Sequence, residues 1–540
     1  MTYFDILRPP DSVMAQAESG WVGLRPAGDS WQAGDIAVET RRVADRLQVT
    51  IAAKQARLQR IRLRWLVQLQ PDLRLLGDHW ERGYGDLEWR GLVPERVMPW
   101  YFLAYEAAAP EGPAHGYGVR TGAAALCFWT VDASGVCLWL DVRNGGAGVE
   151  LNGRSLVAAE VVARQGQAGE TPFSAARALC RLLCDQPRLP AAPVYGSNNW
   201  YYAYGHGSHS SILNDARLLV SLTPLEAHRP YMVIDAGWQP EAGGPLGPIS
   251  GGPYEGHNPL FPDMPGLAAA IRDIGARPGI WLRPLAAAPG ERASLLLPVE
   301  RALDKSAMIG VLDPSLPEVL ERVQADCQML RGWGYDLIKH DWTACDIFGR
   351  WGFQMGATLT NSGWHFADRS RTTGEIILAL YRAIREGAGD AVVIGCNTIG
   401  HLSAGIFELQ RTGDDTSGRE WERTRKMGIN TLAFRMPQHN TFFAADPDCV
   451  GHTAAMPWDR NRQFLDLVAR SGAPLFVSID PAEAGAEQKN ALRAAYALAA
   501  QAQPPGEPLD WLHSTSPSTW RLGGEIVGYD WFGKDGVWPL

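Results

Sequence analysis

The residues of this chain that could do chemistry collect at the ends of short apolar runs. The clearest case is Leu337-Ile338-Lys339-His340-Asp341-Trp342. Leu337 and Ile338 read as a buried parallel strand, preceded by Gly332 and Gly334 and followed by polar, irregular sequence. Side chains alternate along a strand, so Lys339 and Asp341 share one face at its C-terminal end. An ammonium group beside a carboxylate favours the charged carboxylate, which leaves Asp341 an anion able to attack an electrophilic carbon. A second acidic centre, Asp414-Asp415, follows Arg411. Adjacent acids raise one another's pKa through like-charge repulsion, which suits a proton donor. The same pair could instead cap a helix or close a turn ahead of Thr416-Ser417-Gly418.

Such groups need elements that aim them at one point. From residue 194 onward, strand-like runs alternate with amphipathic helical stretches, the signature of repeated βα units. The pattern predicts strands over residues 194–204, 231–238, 278–284, 337–342, 391–397, 406–411, 431–435 and 474–479. Eight units over residues 194–503 fit a (β/α)8 TIM barrel, whose functional groups sit at the C-terminal strand ends. Those ends carry Trp200; Asp235 and Trp238; Trp281; Lys339 and Asp341; Cys396 and Asn397; and Arg411, Asp414 and Asp415. Carboxylates on opposite sides of a cleft are what cleavage of a glycosidic bond requires, one ionised to attack and one protonated to aid the leaving oxygen.

Residues 1–172 alternate short β-type runs with Gly, Pro and Asp turns, which predicts an N-terminal β-sandwich. Residues 173–193 form a linker helix ending before Pro187 and Pro190, and residues 504–540 a small C-terminal β region. Inside the sandwich lies an aromatic, charged, Gly-rich loop, residues 77–89. It is expected to reach the barrel mouth and bound the pocket with Trp80 and Trp89.

Composition narrows the partners of this 540-residue chain. Its 21 tryptophans offer flat apolar platforms for a ligand such as a sugar. A formal net charge of −9 argues against nucleic acid. No apolar run is long enough to span a bilayer, and the N-terminus has neither a basic n-region nor an apolar h-region. Eight scattered cysteines read as reduced thiols in a cytoplasmic protein, and no His/Cys cluster has metal-site spacing. The composition is compatible with a homo-oligomer.

Several motifs together resemble a known family. Asp235-x-Gly237-Trp238-Gln239, Lys339-x-Asp341, Cys396-Asn397 and Arg411-x-Gly413-Asp414-Asp415 occur in the order, and on the strands, seen in retaining α-galactosidases. The nearest resemblance is to the melibiase type in clan D, glycoside hydrolase family 36, which includes raffinose synthases and seed imbibition proteins. The run from Trp80 to Leu87 and Asp446-Pro447-Asp448 resemble further signatures of that family. The resemblance implies double displacement with no metal and no organic cofactor. Asp341 would be the nucleophile and Asp414 the acid/base, with Asp415 the alternative by spacing from Arg411. Asp235, Trp238, Lys339 and Arg411 would bind an oligosaccharide or glycoside substrate, with Asp415, Trp200, Trp281, Cys396, Asn397 and Trp80 completing the pocket.

Two departures bear on specificity. Relatives commonly carry two adjacent aspartates before Gly-Trp, and here the second is Ala236; Gly413 stands where serine is usual. The site residues also admit a transglycosylase of the raffinose-synthase type, an aldolase using Lys339 as a Schiff base, and a sugar-binding barrel without catalysis.

Overall fold

The computed structural model describes residues 3–537 apart from 111, 225–227, 241–246, 253, 255, 305–309 and 535. The N-terminal part is a sandwich of two antiparallel sheets, of six and eight strands. Its strands follow the two-residue period. In Leu58–Leu66, Ile61, Leu63 and Trp65 point into the core while Arg60, Arg62 and Arg64 point out. The helix Pro172–Leu183 follows, capped by Thr171, whose side chain accepts from the Ser174 N–H. It buries Phe173, Ala176, Leu179 and Leu183.

The barrel is a nine-stranded parallel sheet. Strands one to six are Tyr195–Asn198, Tyr231–Ile234, Arg277–Leu282, Leu337–His340, Val392–Gly395 and Leu409–Arg411, and the eighth is Leu475–Ile479. The seventh position is split. Ala444–Asp446 pairs with strand six, Cys449–His452 pairs with strand eight, and the chain between them closes the ring. Pro447 lacks an N–H to donate, and Asp448 has φ +70°, so the strand breaks where these two meet.

The expected strand at residues 431–435 is instead a helix, Thr431–Arg435, continuing the wide turn Arg425–Asn430. Its apolar run, Leu432-Ala433-Phe434, is buried as a strand would be. A short buried apolar segment does not distinguish helix from strand. The C-terminal part adds a three-stranded antiparallel sheet, Glu507–Pro508, Thr519–Leu522 and Glu525–Gly528. It is fastened to the barrel by Trp421, whose indole N–H donates to the Trp531 carbonyl at 2.8 Å.

Candidate active site

The C-terminal strand ends open into a cavity of about 320 Å³, at the lower end of the range typical for ligand pockets. Strand four supplies Lys339 and, just beyond its end, Asp341. The alternation expected for this strand holds, because His340 between them points outward against Tyr381 and Phe407. Burial there pushes the His340 pKa down to about 3, so it packs as a neutral ring.

The Lys339 ammonium pairs with Asp235 at 2.6 Å rather than holding Asp341, which corrects the pairing read from the sequence. Burial disfavours the cation, but Asp235 outweighs it and keeps the Lys339 pKa well above its ordinary value. A Schiff-base lysine needs a neutral amine, so this site does not suit that chemistry. Asp235 also accepts from the Asn198 side chain at 2.6 Å and from the Ala236 N–H at 2.9 Å. Asp341 accepts from the Trp342 N–H at 2.7 Å and the Trp281 indole at 3.3 Å, so each of its oxygens has a donor. Trp342 takes φ +69°, a conformation rare for a bulky residue, and in it the backbone N–H meets the carboxylate.

Strand six supplies the facing acids, and the sandwich loop holds them. Gly83 pairs with Gly413 as a parallel bridge: its N–H donates to the Thr412 carbonyl at 2.8 Å, and its carbonyl accepts from Asp414 N–H at 2.9 Å. This register delivers Arg82 into the cavity, 2.8 Å from Asp414 and 3.5 Å from Asp415. Asp414 pairs on its other oxygen with Arg423 at 2.7 Å. Arg411 lies beneath, 3.2 Å from Asp415 and 2.8 Å from Asp448. Burial would raise the Asp415 pKa, but Arg411, Arg82, Lys339 and Arg423 outweigh it and hold it at about 2. The expectation that like-charge repulsion raises both acids therefore fails for Asp415, because arginines surround the pair.

Of the residues expected to line the pocket, Asp235, Lys339, Asp341, Asp414, Asp415, Trp200 and Trp281 do so. Six others stand behind it. Trp238 is fully buried, its indole N–H donating to the Trp281 carbonyl at 3.0 Å. Trp80 is buried and bonded to the Gly356 carbonyl at 3.0 Å. Trp89 packs on Tyr105 and Trp511, so the loop reaches the pocket through Arg82 rather than through its tryptophans. Cys396 lies 3.2 Å from an Arg411 nitrogen, and Asn397 accepts from the Cys345 N–H at 2.8 Å while donating to Glu81. Arg411 and Asn397 thus position other groups. All eight cysteines are free and buried.

Residues missed by the sequence reading complete the walls: Arg82, Ile249, Trp342, Trp351, Phe353 and Arg423. Trp342 adjoins Asp341 in the chain and Arg82 lies within the singled-out loop, so both carried a signal. Trp351, Phe353 and Arg423 sit on excursions after strands four and six, where nothing local marks them.

The sequence itself matches no family model and no curated protein. The fold does match solved structures. The α-galactosidase of Thermus thermophilus with p-nitrophenyl α-D-galactopyranoside aligns at TM-score 0.61 and 18% identity, over 96% of this chain and 99% of that one. The α-galactosidase AgaA of Geobacillus stearothermophilus, a GH36 protein, aligns at 0.60 and 15%, over 91% and 75%. Kfla1895 in complex with isomaltose aligns at 0.55 and 12%, over 97% and 87%. Across sandwich and barrel together, this chain shares the fold of GH36 α-galactosidases.

Proposed function

We propose that the chain is a retaining α-glycoside hydrolase of the α-galactosidase type. The observation that carries this reading is the placement of Asp341 and Asp414 just beyond the C-terminal ends of strands four and six, lining one cavity. Asp341 attacks the anomeric carbon and forms a covalent glycosyl-aspartate, while a protonated Asp414 gives its proton to the departing oxygen. Asp414 then takes a proton from water, which attacks the same carbon and releases the sugar. Asp415 stays anionic and, with Asp341, favours the positive charge developing on the sugar ring. Asp414 lies between Arg82 and Arg423, and the Arg423 side chain is 38% exposed. The neighbours bound to a nitrophenyl α-galactoside, stachyose and isomaltose support an α-linked glycone.

The test is a panel of nitrophenyl α-glycosides with wild type and Asp341→Gly. Wild type should turn over at least one glycoside. Asp341→Gly should lose nearly all activity and regain it with azide, yielding a β-glycosyl azide. Near-normal activity of Asp341→Gly without azide removes the nucleophile assignment.

A further inference from the structure

The end of strand three reaches Asp341 by two routes. Trp281 is the direct one, its indole N–H on one Asp341 oxygen at 3.3 Å. Arg283, just beyond the strand, stands behind the cavity wall with its side chain 1% exposed. Its guanidinium carbon lies 4.2 Å from the centre of the Trp342 ring, a cation–π contact. Nε and Nη2 clasp the two oxygens of Asp346 at 3.0 and 2.5 Å, and Nη1 donates to the Ile249 carbonyl at 3.1 Å. All three nitrogens are committed, which fixes the plane of the fork. Asp346 lies one helical turn after Trp342, and its N–H donates to the Trp342 carbonyl at 2.7 Å. Arg283 thus holds the turn at its ring and, through Asp346, at its backbone. Trp342 at φ +69° is in a conformation that a bulky residue keeps only where its surroundings over-determine it. In that conformation its N–H meets Asp341 at 2.7 Å.

Resting on the glycosidase reading above, we propose that Arg283 is a positioning residue for the nucleophile: by holding the Trp342 ring and Asp346, it keeps the Trp342 N–H aimed at the Asp341 carboxylate. An ion pair that served the fold alone would have no particular bearing on Asp341. A reacting group misplaced by about 1 Å loses roughly 100-fold in rate, so loss of this grip should lower kcat/KM about 10- to 100-fold.

The test asks whether the loss runs through the carboxylate. Removing Arg283 alone leaves Asp346, 0% exposed, as an unpaired buried anion, so Arg283→Met is combined with Asp346→Leu to take out both charges together. This variant is made in the wild-type and Asp341→Gly backgrounds, and kcat/KM for a nitrophenyl α-glycoside is read without azide in the first and with azide in the second. Azide attacks in place of the carboxylate and has no use for the Trp342 N–H. A shift of the Trp342 ring in the cavity wall weakens both backgrounds alike. The substitutions should therefore cost about 10- to 100-fold with Asp341 present and less than about 3-fold in the azide-rescued reaction. Arg283→Lys keeps the charge without the fork and should show the same dependence on background at smaller size, which preserves the comparison if the combined variant does not fold. Equal losses in the two backgrounds, or no loss in either, overturn the inference while leaving the glycosidase reading standing. Absence of azide rescue in Asp341→Gly itself removes the nucleophile assignment and this inference with it.

Discussion

At the scale of single residues, the arginines decide which acid does what. A general acid works best with a pKa near the working pH. Asp415, held at about 2, is an anion throughout that range and cannot donate. In the proposed mechanism proton transfer therefore falls to Asp414. A general acid matters most when the leaving group is poor, so Asp414→Ala should cut hydrolysis of natural oligosaccharides far more than that of dinitrophenyl glycosides. Asp415→Asn should weaken both substrates alike and leave the pH limits of kcat/KM in place; leaving-group dependence in Asp415→Asn instead would exchange the two roles. The depressed pKa also links Asp415 to stability. Its folded value lies below the ordinary carboxylate value of about 3.9, so its contribution is present above about pH 4 and lost as pH falls toward 2. The acidic residues were legible because strand-end position and charge pattern sufficed to find them. Their charge states were not, because Arg82 arrives from a loop far from strand six in the chain and Arg423 from a segment beyond it.

At the scale of elements, the departure at Gly413 has a steric cause. A Cβ at this position would lie 2.1 Å from the Met427 carbonyl oxygen and 2.5 Å from the Thr431 hydroxyl. The wide turn Arg425–Asn430 brings that carbonyl against strand six, so the backbone there leaves room only for glycine. Gly413→Ser, which would restore the residue usual in the resembling family, should destabilise the protein by about 1–3 kcal/mol through overpacking. It should also lower kcat by displacing Asp414, and equilibrium unfolding with steady-state kinetics reads both. Unchanged stability in Gly413→Ser would mean that the turn can relax. The same turn explains the one barrel element misread from sequence. Leu432-Ala433-Phe434 has the burial of a strand, whereas the true seventh strand is two fragments, each too short and too polar to signal itself, around Pro447-Asp448. The other strands lie within their predicted ranges or start one residue earlier, because parallel strands buried on both faces leave continuous apolar runs.

At the scale of the whole molecule, the sandwich is part of the active site. Loop 77–89 lies beside the end of strand six, joined to it by the Gly83–Gly413 bridge, and one residue on the barrel grips it. Arg435 pairs with Asp78 at 2.8 Å, donates to the Thr412 carbonyl at 3.0 Å and donates to the Glu81 carbonyl. It thereby ties the loop backbone to the strand that carries Asp414. Gln438 supports the same carboxylate at 2.8 Å. Both side chains of the ion pair are buried, at 5% and 7% exposure, so removing the anion strands a guanidinium in the interior. Asp78→Ala should therefore destabilise the protein by roughly 3–5 kcal/mol. It should also reduce kcat although Asp78 does not line the cavity, because Arg82 loses the anchor four residues away that sets its reach to Asp414. Asp78→Asn, which keeps the shape and accepts from Arg435 without the charge, should recover part of both. Two readouts separate this coupling from a general loss of fold: residual activity measured well below the unfolding midpoint, and the Asp78→Ala, Arg82→Ala double-mutant cycle. Coupled sites give a combined loss in kcat well short of additive, whereas full additivity would mean that the sandwich stabilises the barrel without shaping its chemistry.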